Sequence, residues 1–144
     1  MAEKLFSKED RKRIIDAIVL AEKETSGEVQ VHLENHCKGE VLDRAAQVFA
    51  TLQMHKTEQR NGVLFYLAVE DHKFAILGDA GINQRVPEHF WDDIKDEMLK
   101  HFKTRQFTEG LCIGIGMAAE QLKMHFPYDQ HGDENELPDE ISFG

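Results

Sequence analysis

Between Asn61-Gly62 and Glu70-Asp71 lies an unbroken apolar run, Val63-Leu-Phe-Tyr-Leu-Ala-Val69, rich in β-branched and aromatic side chains. A run of that length without polar alternation reads as a strand covered on both faces, the kind found at the centre of an α/β sheet. A tight acidic turn follows it, and Lys73 to Gly78 then reads as a second strand paired back as a hairpin. This segment therefore sets the sheet centre. It also puts Asn61, Asp71 and Asp79 at strand ends, where open α/β sheets usually build their sites.

The flanking segments supply helices. Ser7-Lys-Glu-Asp10 has the form of a capping box, and Ile14, Ile15, Ile18, Val19 and Glu22 follow at helical spacing until Thr25-Ser26-Gly27 stops the helix. Glu28-Val-Gln-Val-His-Leu-Glu34 alternates polar and apolar residues, which predicts a strand with one exposed face. Val41, Ala45, Val48, Phe49 and Leu52 share one face of a helix expected over residues 40–54. Residues 55–61 form a polar loop, and Gly78-Asp-Ala-Gly81 a turn.

Pro87 is expected at the first position of a third helix, along which Phe90, Ile94, Met98 and Phe102 recur every fourth residue. Trp91 and Leu99 widen that stripe, which reads as core. A last helix is expected over residues 108–126, with Leu111, Ile115, Ala118, Ala119 and Leu122 facing inward. Its Gly110, Gly114 and Gly116 imply a close approach to the sheet.

Charge narrows the function classes. The chain has 144 residues, enough for one domain, with 17 basic and 27 acidic residues and a net charge of −10. Six of the acids fall in the last sixteen residues, which hold no Lys or Arg; without those six the balance is 21 against 17, a net −4. We therefore divide the chain into a domain over residues 1–128 and an acidic tail over 129–144. The apolar end of that tail, Leu137 to Phe143, can dock on the domain or on a protein partner.

No cationic cluster suits a nucleic-acid backbone. The most apolar helix stretch, Leu111 to Ala119, is far shorter than the ~20 residues of a membrane span. Cys37 and Cys112 suggest neither a disulfide framework nor a zinc motif, and Cys112 is expected to be buried and inert. The amino-terminal residues carry no signal-peptide core, so the expected setting is cytoplasmic and reducing. The eight histidines are scattered, and only His32 and His36 are close in sequence.

Four segments together resemble the TPM domain family of thylakoid-lumen photosystem-repair proteins and many bacterial proteins. They are Glu24-Thr-Ser-Gly-Glu-Val-Gln-Val31, Asn61-Gly-Val-Leu-Phe-Tyr-Leu-Ala-Val69, Asp71-His-Lys-Phe-Ala-Ile-Leu-Gly-Asp79 and Phe102-Lys-Thr-Arg-Gln-Phe-Thr-Glu-Gly-Leu111. The resemblance covers about residues 7–126. It implies a three-layer α/β/α sandwich with a small mixed central sheet, and an acidic cleft at one sheet edge. It also implies binding of a divalent cation, Ca2+ or Mg2+, and in some members a weak acid phosphatase (phosphomonoesterase) activity.

This chain departs from the family pattern at three positions. Arg60 stands where an Asp is usual, His72 replaces an Arg, and Asn83 replaces a Glu, while Asp79 appears nearby. Many members carry a signal sequence and a membrane anchor, so this chain looks like a stand-alone cytoplasmic member.

A hard cation takes six or more oxygen ligands if it is calcium. Asp71 and Asp79 are the leading ligands expected here, with Asn61 and Glu28 secondary and Glu58 within reach. Read from the residues alone, acids in turns are as simply solvated, and Asp79 or Asn83 can bond its own backbone; the resemblance favours the metal site. For phosphate, Arg60, His72 or Arg85 would hold the anion, but no P-loop and no nucleophile–base pair is present. The expected role is a binding or accessory one, in protein maintenance or stress, with catalysis and protein interaction as alternatives.

Overall fold

A computed structural model describes residues 2–128, 137 and 140–144. The elements are α1 (Ala2–Leu5), α2 (Lys8–Glu24), β1 (Glu28–Glu34), α3 (Val41–Thr51), β2 (Gly62–Ala68), β3 (Lys73–Gly78), α4 (Ala80–Arg85), α5 (Asp92–Phe102), α6 (Phe107–Leu122) and β4 (Ile141–Phe143). The four strands form one mixed sheet in the order β3-β2-β1-β4. β1 runs parallel to both β2 and β4, and β3 returns antiparallel to β2.

β2 is buried along its whole length, as its uninterrupted apolar run requires. On one face Val29, Val31, Leu33, Val63, Phe65 and Leu67 pack with Ile14 and Ile18 of α2, Ile94 and Met98 of α5, and Leu111 and Ile115 of α6. On the other face Leu64, Tyr66 and Ala75 pack with Ala45, Val48 and Phe49 of α3 and with Leu137. Helices thus cover both faces of the sheet, giving three α/β/α layers.

α2 starts where the sequence places it. The Ser7 hydroxyl accepts from the Asp10 N–H at 3.0 Å, and the Asp10 carboxylate accepts from the Ser7 N–H at 3.1 Å.

Four expectations need correction. β1 has no exposed face: Glu28, Gln30, His32 and Glu34 are buried along with Val29, Val31 and Leu33 between them. The turn expected at Gly78–Gly81 opens a short helix, α4, capped by Asp79, whose carboxylate accepts from the Ala80 N–H. α5 begins at Asp92 rather than Pro87, because His89 adopts a left-handed φ of 65° that interrupts any helix running through it. Two of the α6 glycines serve α5, not the sheet: a Cβ on Gly110 would lie 2.6 Å from the Phe102 ring and one on Gly114 would overlap Met98, whereas Gly116 faces open space.

The apolar end of the tail docks on this domain. β4 adds to the free edge of β1, the Gly144 N–H donates to the Leu33 carbonyl at 2.9 Å, and Arg11 lies over the Phe143 ring. The acids at 129, 133, 134, 136 and 139 lie outside the described residues. Cys112 is partly rather than fully buried, and both cysteines are free thiols.

Candidate functional site

Three of the four expected ligands meet at one edge of the sheet, where β1 and β2 begin and β3 ends. Glu28 pairs with Gly62, and its N–H donates to the Asn61 carbonyl at 3.0 Å. Across the next strand, the Asp79 N–H donates to the Gly62 carbonyl at 2.9 Å. Glu28, Gly62 and Asp79 therefore form one cross-strand row, with the two acids about 10 Å apart at Cα given strands ~4.8 Å apart. Both acids are buried. Glu58 stands in the adjoining loop, exposed.

Asn61 is the most buried of the three expected ligands at this edge. It is 1% exposed, and its Nδ2 donates to the Ser26 carbonyl at 2.9 Å, which fixes the orientation of the carboxamide. Its Oδ1 is buried and has no hydrogen-bond partner among the described residues. Buried acceptors are nearly always satisfied, so this oxygen calls for a water or an ion as its partner, as does the Asn35 Oδ1 beyond the other end of β1. The backbone around it is held tightly: the Asn61 N–H donates to the Thr57 hydroxyl at 3.1 Å, and the Arg60 N–H to the Thr57 carbonyl at 3.2 Å.

Arg60 dominates the electrostatics here. Its Nε donates to Oδ2 of Asp79 at 2.7 Å and its Nη2 to Oδ1 at 2.8 Å, a two-pronged pair. Burial alone would raise the Asp79 carboxyl, but the Arg60 guanidinium and the Ala80 N–H outweigh it and hold it below the usual carboxylate range. The Arg60 backbone sits in the left-handed region at φ 51°, uncommon for a residue with a side chain. Its carbonyl accepts from the Gly81 N–H at 2.9 Å, an approach open only to glycine, since a Cβ on Gly81 would lie 2.6 Å from that carbonyl oxygen.

Asp71, one of the two leading ligands, is not at this edge. It precedes β3, whereas Asp79 follows it, so six residues of strand, on the order of 20 Å, separate them. Strand ends gather at one edge only when the strands share a direction, and β3 runs against β2. Asp71 instead accepts from the Cys37 N–H at 2.7 Å and pairs with Nδ1 of His36 at 3.0 Å. His36 lowers its carboxyl first, and the Cys37 N–H second. Nearby, Lys73 Nζ donates to the carbonyls of Cys37 and Gly39.

The sequence gives no sign of a buried polar network at the Asp71 end of β1. Glu34 receives two hydrogen bonds from Arg44, at 2.9 and 2.8 Å, one from the Tyr66 hydroxyl, and a contact from Nε2 of His32 at 3.0 Å. The ring of His32 stacks on Tyr66, and its Nδ1 meets the Ser142 hydroxyl at 2.8 Å. Burial raises the Glu34 carboxyl, but its hydrogen bonds from Arg44, Tyr66 and His32 prevail and bring it down to about 2. Burial lowers His32 against the pull of Glu34, and burial together with the Glu34 carboxylate raises the Tyr66 hydroxyl. Only the even-numbered spacing of Glu28, Gln30, His32 and Glu34 could have pointed to it, and that pattern looks the same on a solvated face.

The three groups expected to hold a phosphate do not meet. Arg60 is engaged with Asp79, Arg85 lies over the Phe126 ring, and His72 sits at the Asp71 edge. For a divalent cation the donor types at this end of the sheet are oxygens: the Asn61 amide oxygen and the buried carboxylates of Glu28 and of Asp79, the latter already paired with Arg60. Among the described residues no group of three or more His, Cys, Asp or Glu side chains converges on a common point, so carbonyls and water would complete any shell. Among them, too, no helix is long and apolar enough to cross a membrane.

Comparison with known proteins bears on the same fold. Residues 2–121 match the family model described as TPM domain. The chain is similar to the BA42 protein of the psychrophilic bacterium Bizionia argentinensis, at 46% identity over 96% of this chain and 95% of that one, with a TM-score of 0.91. The fold also recurs in the N-terminal domain of a protein from P. gingivalis, at 18% identity over 88% of this chain and 83% of that one, TM-score 0.69. It recurs again in the N-terminal domain of the cg2496 protein of Corynebacterium glutamicum, at 11% identity over 94% and 79%, TM-score 0.65. No curated protein matches the chain.

Proposed function

We propose that this chain, which belongs to the TPM domain family, binds Ca2+ or Mg2+ weakly at the sheet edge formed by Asn61, Glu28 and Asp79, in a binding or accessory role. The observation that carries the reading is the Asn61 Oδ1: buried, fixed in orientation, and without a partner among the described residues. A hard cation accepts such a neutral oxygen, and the two buried carboxylates supply the opposing charge. Asp71 is no part of this ligand set. With few acids at the site and one guanidinium beside them, the affinity is expected on the order of millimolar, the weak end of calcium sites. Two unbridged thiols support a reducing, cytoplasmic setting.

Calorimetric titration of the folded protein with each ion tests the reading. Asn61→Ala should weaken binding roughly tenfold through loss of one ligand, and Asp79→Asn should remove it. Binding left intact in both variants, or no binding of either ion to the parent protein, ends the proposal.

A further inference from the structure

Asp79 and Arg60 differ sharply in their freedom to move. The Asp79 side chain is 6% exposed, and its carboxylate is fixed from behind by the Ala80 N–H, whereas the Arg60 side chain is 50% exposed and approaches from the solvent side. The Arg60 backbone cannot follow its side chain outward. It is pinned by the Gly81 N–H on its carbonyl and by the Thr57 carbonyl on its own N–H. The guanidinium is therefore a cation on a fixed tether, covering both oxygens of a carboxylate that has nowhere else to turn.

We infer that Arg60 is a built-in competitor for the cation site: a divalent ion reaches Asp79 only by displacing the Arg60 guanidinium into water. The inference rests on the cation reading above and adds how that site is regulated. A tethered group acts at a high effective concentration without any binding step of its own, so it lowers the apparent affinity of every external cation. It also leaves Asp79 compensated when no ion is present, which avoids an unpaired buried carboxylate. The pair exchanges one cation for another at a fixed anion, and the exchange is reversible because only a half-exposed side chain moves.

Two variants and one spectroscopic signal test this. Calorimetric titration of Arg60→Gln, which removes both charge and fork, should show tightening of Ca2+ or Mg2+ by at least about tenfold. Arg60→Lys keeps the charge but loses the two-pronged bond, and should tighten the ion part of the way. In the parent protein, the Arg60 Nε–H resonance should move from its hydrogen-bonded position toward that of a free arginine as the ion is added.

Equal affinity in all three proteins, with an unmoved Arg60 Nε–H, overturns the competitor and leaves the cation site standing. Tightening in Arg60→Gln but none in Arg60→Lys reduces the effect to net charge and also overturns it. Absence of binding in the parent protein overturns the cation reading itself, whatever the variants do.

Discussion

The Ser142 hydroxyl lies 2.8 Å from Nδ1 of His32, and that contact ties the last strand to the buried polar row of β1. Nε2 of the same ring faces a Glu34 carboxylate oxygen, which only accepts, so Nε2 carries the proton and Nδ1 accepts from Ser142. β4 is three residues long, at the short end of strand lengths, and this side-chain bond adds to its ladder on β1.

Ser142→Ala should cost about 1–2 kcal/mol, since it leaves a ring nitrogen with little water to turn to. Urea denaturation measures the loss. Faster hydrogen exchange at the Gly144 amide, which donates to the Leu33 carbonyl, should accompany it.

Glu34 should make the protein acid-sensitive in a defined window. Its folded-state value of about 2 lies below the ordinary 4.5, so its stabilisation is fully present above 4.5 and lost as the pH falls from there toward 2. The amount at stake is on the order of 3 kcal/mol. Glu34→Gln should lose a similar amount at neutral pH, because Arg44, Tyr66 and His32 then face a neutral amide. Stability curves from pH 2 to 7 for the two proteins should draw together toward the acid end, and parallel curves would deny Glu34 the role.

Two glycines of α6 should respond in opposite directions. A Cβ at Gly114 would collide with the Met98 sulfur, so Gly114→Ala should destabilise by about 1–3 kcal/mol despite its better helix propensity. Gly116 is exposed and has open space around it, so Gly116→Ala should stabilise by about 0.5–1 kcal/mol. Thermal melts of the two variants check the pair.

Apolar patterning made the scaffold legible. The run from Val63 to Val69 marks a central strand, and the Ser7 box and the stripe from Phe90 to Phe102 mark helices that exist. Patterning failed where tertiary contacts decide. Nothing in Glu28–Glu34 distinguishes a wet face from a dry one paired with Arg44 on the next helix and with Ser142 far along the chain. Helix α4 was missed because its cap, Asp79, looks the same in a turn.

Sequence reasoning put Asn61, Glu28, Asp79 and Asp71 at one edge; the fold puts the first three at one end of the sheet and Asp71 at the other, a separation already implied by the hairpin, which sets Asp71 in its turn and Asp79 beyond its second strand. It offered Arg60 to a bound phosphate, whereas the fold pairs it with the Asp79 carboxylate.

A residue-resolved titration of the labelled protein with Ca2+ and Mg2+ tests the central claim most directly. The account predicts that amides 26–28, 60–62 and 79–82 shift together and saturate, while those of His36, Cys37 and Asp71 stay in place. Shifts confined to the Asp71 edge, or none at either edge at millimolar ion, would contradict it.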